Sequence, residues 1–178
     1  MMNSTRRPDG FTLIELMMVV SIIALLAAIA FPKLGQARLA GNESSTIGSI
    51  RTINSGQQVF WSSCGYGMYS PSLENLAAPV AGAPGYVSMD LGGPPPVVKS
   101  GYELEMSSDF PPGTAFSCNG GGVVISYHVT ADPRPGQGVR FFASNTTGAI
   151  YQSTETMYSV TPDAAPPAAP AIPLSSAR

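Results

Sequence analysis

One carboxylate lies in a stretch where almost every other residue is apolar. Glu15 is the only ionisable residue in the 21-residue run from Phe11 to Phe31, where Thr12 and Ser21 are the other polar side chains. An acidic side chain within an apolar segment of membrane length costs on the order of 3 kcal/mol and usually marks a function that has a specific partner. The chemistry open to a lone carboxylate here is hydrogen bonding or pairing with a cation.

The residues themselves leave three other interpretations of this segment open. Thr12 and Glu15 have the spacing of a capping box, in which both side chains satisfy N–H groups at the start of a helix. The segment also resembles a secretory signal that is cut before Phe31, although Glu15 inside the apolar region disfavours this interpretation. The arginine pair 6–7 is typical of a twin-arginine signal, but residues 8–10 follow where an apolar residue is required.

The apolar run has the length of a membrane-spanning helix. As a helix, residues 11–31 would be about 32 Å long, enough to cross the hydrocarbon core. Positive charge lies on both sides, at residues 6–7 and again at Lys33 and Arg38, so charge bias alone does not orient the segment. The short segment before the run makes a cytoplasmic N-terminus the simpler expectation.

The helical pattern continues beyond the apolar run, but its character changes to amphipathic. Apolar residues recur at helical spacing among Ser, Thr, Asn and Gln, and three glycines weaken the pattern by up to about 1 kcal/mol each. The sequence therefore predicts one helix from residue 11 to about residue 62. The apolar residues are Ile47, Ile50, Ile53 and Phe60, and the glycines are Gly41, Gly48 and Gly56.

The second half of the chain has the pattern of a small antiparallel sheet. Residues 64–100 are predicted to form a long connecting loop with one short helical turn, opened by Pro71. Turn residues lie at 132–136 and 145–148. Alternating apolar residues predict strands on an α+β fold, in which the sheet packs on the second half of the long helix. The four predicted strands are 102–106, 123–129, 140–143 and 149–152.

Composition argues against several classes of function. The net charge is −2 and the chain holds nine Lys and Arg, so no basic surface for nucleic acid is expected. His128 is the only histidine, and we expect it on the surface, which disfavours a Ser-His-Asp site or a histidine-based metal site. No acidic residues have the spacing of a calcium loop. We therefore expect no enzyme activity, no cofactor and no metal.

Cys64 and Cys118 are the only cysteines. They could be two buried thiols in a cytosolic domain. The membrane-length segment favours an oxidising compartment instead, where two cysteines would pair. Closing a loop of this length would stabilise the fold by about 4 kcal/mol in the chain-entropy model.

The stretch Gly10-Phe-Thr-Leu-Ile-Glu15-Leu16 resembles the processing site of type IV pilin precursors. In that family a membrane prepilin peptidase cuts after the glycine and methylates the new N-terminal phenylalanine. The resemblance implies a cut between Gly10 and Phe11. It also places the family's acidic residue at Glu15 and its helix-kinking proline at Pro32, where local bending or melting of the helix is expected. From the sequence alone, Pro32 could equally mark the end of the membrane helix.

The resemblance further implies a structural role for the protein. The expected fold is a pilin-like roll with a long helix on an antiparallel sheet, and many pilins join two cysteines in a disulfide. Glu15 of an incoming subunit would pair with the charged amine of Phe11 on a neighbour. The expected partners are other copies of this chain, other pilins, the prepilin peptidase and methyltransferase, an inner-membrane assembly platform and membrane lipid. The precursor would lie in the inner membrane, and the assembled protein in a surface filament or periplasmic pseudopilus.

The predicted domain organisation follows from these observations. Residues 1–10 are a leader peptide, and residues 11–32 form the transmembrane and filament-core helix. Residues 33–160 form the globular part, and the Ala- and Pro-rich tail 161–178 is expected to be extended or disordered. The alternative function is a small binding domain, membrane-anchored or secreted, that never polymerises.

Overall fold

The computed structural model describes residues 10–80, 82–113, 115–157 and 161–174. The chain divides after Arg38 into two compact units. The second unit, from Leu39 onward, is called the head below. Its first residue lies six positions after the start expected from the sequence, residue 33.

The first helix, α1, spans Leu13–Ser63 and contributes to both units. The predicted helix of residues 11 to about 62 is therefore confirmed, with ends that differ by one or two residues. Pro32 lies inside α1, and the helical assignment continues through it. The local melting expected at Pro32 is not seen in this structure.

The part of α1 that belongs to the head buries one face. Ile50, Ile53 and Phe60 are fully buried at helical spacing. Gly56 lies on the same face, and a Cβ atom there would come within 2.9 Å of the Tyr86 carbonyl oxygen. The helix-weakening glycine at this position therefore has a packing role, because it lets the chain at Tyr86 cross α1 closely.

The head contains one six-stranded antiparallel sheet in which every strand pairs with its neighbour in sequence. A short helix, α2 (Leu73–Ala77), precedes it and is capped by Ser72 rather than opened by Pro71 as predicted. The α+β fold predicted from the sequence is confirmed. The strands are β1 (Val97–Lys99), β2 (Tyr102–Ser107), β3 (His128–Pro133), β4 (Phe141–Asn145), β5 (Ile150–Ser153) and β6 (Ile172–Pro173).

The second predicted strand is misplaced. Residues 123–127 are not part of β3, because Val124 forms an isolated pair with Tyr69 instead, with N–H to carbonyl distances of 2.8 and 2.9 Å. Ile125, expected to face the core, is 62% exposed. The strand continues through Pro133, where a turn was predicted, and Pro133 pairs with Tyr102.

Two strands were missed, and one of them lies in the described part of the tail. β1 lies in the predicted loop, and β6 lies in the segment expected to be extended or disordered. Residues 161–174 pack on the sheet, with Thr161 and Asp163 buried. Both missed strands are short and follow prolines, so the local sequence pattern does not indicate a strand. They are strands because β1 pairs with β2 and β6 pairs with β5.

Cys64 and Cys118 form a disulfide, as the sequence led us to expect. Cys64 directly follows α1 and is fully buried. The Cys118 N–H also donates to the Cys64 carbonyl at 3.0 Å. The disulfide thus fixes the end of α1 to the connection between β2 and β3.

Candidate processing and assembly site

The predicted cut site lies just before α1. Gly10 and Phe11 are both exposed, and the Phe11 side chain is 88% exposed. The first helical residue is Leu13, so the bond between Gly10 and Phe11 lies in non-helical chain. An exposed, non-helical bond is the kind that a peptidase active site can bind in extended form.

Thr12 and Glu15 form a reciprocal capping box at the start of α1. The Thr12 N–H and hydroxyl both donate to Oε2 of Glu15, at 2.9 and 2.6 Å, and the Glu15 N–H donates to the Thr12 hydroxyl oxygen at 3.3 Å. These bonds satisfy backbone N–H groups that a helix start leaves without partners. The capping role that the spacing allowed is therefore present, and within the described part of the chain it uses only Oε2 of Glu15.

The apolar surface of the first unit is uncovered in the single chain. α1 is long and apolar enough to cross a membrane, and none of its most apolar 18-residue stretch is buried. A contiguous exposed apolar surface of this size marks contact with lipid or with other protein. Its large exposed side chains include Leu13, Ile14, Leu16, Met17, Met18, Ile22, Ile23, Leu25, Leu26, Ile29, Phe31 and Leu34.

Pro32 lies in the same surface. It has no N–H, so the Ala28 carbonyl lacks the donor that an ordinary helix would supply four residues later. An open apolar concavity lies on this part of α1, and Pro32 is not among the residues that line it. It is lined by Ala27, Ala30, Phe31, Lys33, Leu34 and Ala37.

In the head, a charged pair joins α1 to the start of β4. The Arg140 guanidinium donates to Oε2 of Glu43 through Nε at 2.9 Å and Nη2 at 2.5 Å. Oε1 of Glu43 accepts from the backbone N–H groups of Val139 and Arg140 at 3.2 and 3.3 Å. Burial alone would raise the pKa of Glu43, but these hydrogen bonds outweigh it, so its pKa lies below the ordinary value.

The expectation that His128 lies on the surface is wrong. His128 is buried, and its Nδ1 lies 2.5 Å from Oδ1 of Asp163. Oδ2 of Asp163 accepts from the Ser126 and Ser108 hydroxyls at 2.7 and 3.2 Å and from the Asp109 N–H at 2.8 Å. Sequence reasoning missed this cluster because Asp163 comes from the tail, 35 residues further along the chain.

Among the described residues, one group could in principle hold a metal ion. Single ligand atoms of Asp109, His128 and Asp163 lie within 4.8 Å of one another. Both oxygens of Asp163 already accept hydrogen bonds from protein donors. The arrangement is therefore that of a buried hydrogen-bonded cluster, and the expectation of no metal stays a prediction.

The structure brings together only some of the residues that the sequence singled out. Glu15 contacts Thr12, and Cys64 is bonded to Cys118. The hydrogen bonds described for Glu15 all go to Thr12, so its expected role toward Phe11 of another subunit is not tested by one chain.

Residues 5–31 match the family model of the prokaryotic N-terminal methylation motif. This is the signal motif of type IV pilins and pseudopilins, so the resemblance at the N-terminus is confirmed. The match covers the cut site, Glu15 and the apolar run and ends one residue before Pro32. No curated protein and no solved structure matches the chain significantly.

The motif and the long apolar helix fit a type IV pilin-like precursor that inserts in a membrane. The motif also implies processing by a prepilin peptidase. The disulfide between Cys64 and Cys118 also fits this class of protein.

Proposed function

We propose that this protein, which carries the N-terminal methylation motif of type IV pilins and pseudopilins, is a structural subunit of a type IV pilus or related pseudopilus. One observation carries the proposal. Glu15 lies four residues after the predicted new N-terminus at Phe11, at the head of an apolar helix surface that its own chain leaves uncovered.

The uncovered surface accounts for two successive environments. Before assembly, lipid would cover the first unit, because a helix of this length and composition is stable across the hydrocarbon core. In a filament, the same side chains would pack against the equivalent helices of other copies. The apolar surface is thus used in the membrane and again in the filament core.

Glu15 would give the filament its register. Cleavage after Gly10 exposes a charged amine on Phe11, and a buried carboxylate is tolerable only when a cation pairs with it. Pairing between Glu15 of one copy and the amine of Phe11 on a neighbour neutralises both charges at one axial offset. A single buried polar contact fixes register in the same way in coiled coils.

Pro32 would act in the packing of the helices. The missing N–H weakens α1 at this position, so the helix can bend or melt there at a smaller cost than elsewhere. The apolar concavity lined by Phe31 and Leu34 would then adapt to neighbouring helices during assembly.

The proposal names the protein's partners and locations. The precursor would be processed in the inner membrane by a prepilin peptidase and methyltransferase, and an assembly platform would add it to other copies or other pilins. The mature protein would lie at the cell surface or in a periplasmic pseudopilus. The role is structural, with no catalytic activity and no cofactor.

Intact mass of the chain tests this proposal against the alternative, a small membrane-anchored or secreted binding domain. The sample is protein from detergent-extracted membranes and from filaments collected by shearing or pelleting. The proposal predicts a chain that starts at Phe11 with one added methyl group in the membrane fraction, and the same chain in the filament fraction if the assembly is a surface pilus rather than a periplasmic pseudopilus. A chain that is uncut at Met1, or that starts at Phe31, would support the alternative.

A further inference from the structure

The two edge strands of the head sheet are very short and lie next to prolines. β1 has three residues and follows prolines 94–96, while β6 has two residues and contains Pro173. The inner strands have four to six residues. Natural sheets use short edge strands and prolines to prevent pairing with another chain, because an open edge offers unpaired N–H and C=O groups.

The edge strand β6 belongs to a segment whose composition does not favour a fixed structure. Residues 161–174, called the strap below, contain five prolines, and they were expected to be extended or disordered. The strap instead pairs with the outer side of β5, with Tyr151 opposite Pro173 and Gln152 opposite Ile172. Without the strap, β5 would be the edge strand.

Polar contacts hold the first part of the strap. The Asn145 amide nitrogen donates to the carbonyls of Pro162 and Ala165, at 2.8 and 2.6 Å. The Thr146 N–H donates to the Asp163 carbonyl at 3.1 Å. Both donors lie at or just after the end of β4, so the turn between β4 and β5 fixes where the strap starts.

The Asp163 side chain is the deepest contact of the strap. It is 2% exposed, and donors from two segments of the chain converge on its carboxylate: residues 108–109, and Ser126 with His128. A buried charge is stable only when it is paired and hydrogen-bonded, and here every one of those bonds requires the strap to be docked. Asp163 is called the latch below, because its hydrogen bonds form only when the strap is docked on the rest of the head.

We propose that the strap closes the β5 edge and thereby blocks strand pairing between the heads of two copies, with Asp163 as its latch. Proline suits this task, because it has no N–H to offer to a further strand and is found in sheets on edge strands. The proposal concerns the head and holds whether or not the protein forms filaments.

Asp163→Ala in the full-length chain, in detergent micelles, tests the latch by hydrogen–deuterium exchange. Glu74→Ala, which removes an exposed carboxylate elsewhere, is the matched control. We expect at least tenfold faster exchange in the peptide that covers 150–153, unchanged exchange in α1 around 49–57, and at least tenfold tighter self-association in analytical ultracentrifugation. Unchanged exchange in β5, or faster exchange without added association, would overturn the proposal.

A second variant decides the matter if Asp163→Ala also exposes α1 and so unfolds the head. Truncation after Ala169 keeps Asp163 and its hydrogen bonds but removes β6, so that β5 becomes the edge strand. Truncation after Leu174 keeps β6 and is its control. Stronger self-association of the first variant than of the second would support the proposal, and equal association of the two variants would overturn it.

Discussion

Glu15 accepts two hydrogen bonds from Thr12 through the same oxygen, Oε2, at 2.9 and 2.6 Å. In the single chain this carboxylate is therefore a helix cap. A capping role and an assembly role are compatible, because capping does not require the charge of the side chain. A glutamine can also complete a capping box, and it carries no charge. The two roles can be separated by substitutions that remove one and keep the other.

Gly10 is expected to be essential for processing. A β-branched side chain directly before the cut would hinder entry of the bond into the peptidase, so Gly10→Val should leave the precursor uncut in the membrane. Intact mass of the membrane fraction measures this. Gly35→Val is the matched control, because Gly35 also has open space around it and lies away from the cut site. Normal mature protein from Gly10→Val would refute the assignment of the cut site.

The disulfide should contribute much of the stability of the head. The bonded cysteines are 54 residues apart, and a loop of this length stabilises by about 4 kcal/mol in the chain-entropy model. Urea unfolding with and without reductant should show a loss of that order. The double variant Cys64→Ala/Cys118→Ala should have the low stability and no response to reductant. Equal stability of oxidised and reduced protein would contradict this prediction.

The pair of Glu43 and Arg140 should make the head sensitive to acid. The pKa of Glu43 is lowered in the folded state, so its contribution is fully present above the unfolded pKa of about 4.3 and is lost as pH falls through the lower folded value. The Arg140 side chain is 45% exposed, which weakens the pair. We expect Glu43→Gln to cost about 1–2 kcal/mol at pH 7.

The measurement for this pair is the free energy of unfolding from urea titrations between pH 7 and pH 3. Glu43→Gln should lower the free energy at pH 7 and flatten its fall in acid. Glu74→Gln, at an exposed position, serves as the control and should follow the wild type. If Glu43→Gln lost stability with acid as steeply as the wild type, the pair would not be the source of the acid sensitivity.

The local sequence pattern was sufficient to predict the regular elements that bury one face and the hairpin that has typical turn residues. The periodicity of α1 and the alternation of β2 gave their positions to within one or two residues, because each buries one face along a regular element. The hairpin of β4 and β5 was found from its turn residues. The N-terminal motif was found because the residues of a processing site are contiguous in sequence.

Features that depend on contacts between distant segments were not predictable in this way. Val124 pairs with Tyr69 rather than with a neighbouring strand, and nothing in its own segment indicates that choice. The burial of His128 depends on Asp163, which lies among the alanines and prolines of the strap. The strap has a composition that is typical of disorder, but a few polar contacts hold it in place.

The central claim is that filament assembly requires the charge of Glu15. Two variants separate this role from the capping role. Glu15→Gln keeps the capping geometry and removes the charge, while Thr12→Val removes the capping hydroxyl and keeps the charge. Losing a cap costs about 1 kcal/mol, so Thr12→Val should still form filaments. Losing one partner of a buried pair costs about 3–5 kcal/mol, which weakens docking by more than about a hundredfold.

The most direct test is the yield of sheared filaments from cells that express only Glu15→Gln, measured together with the intact mass of the membrane-bound chain. The account predicts protein that is correctly cut at Phe11 and methylated, that stays in the inner membrane, and that is nearly absent from filaments. Filaments from Glu15→Gln at the wild-type yield would contradict the account, because Glu15 would then be a helix cap and nothing more.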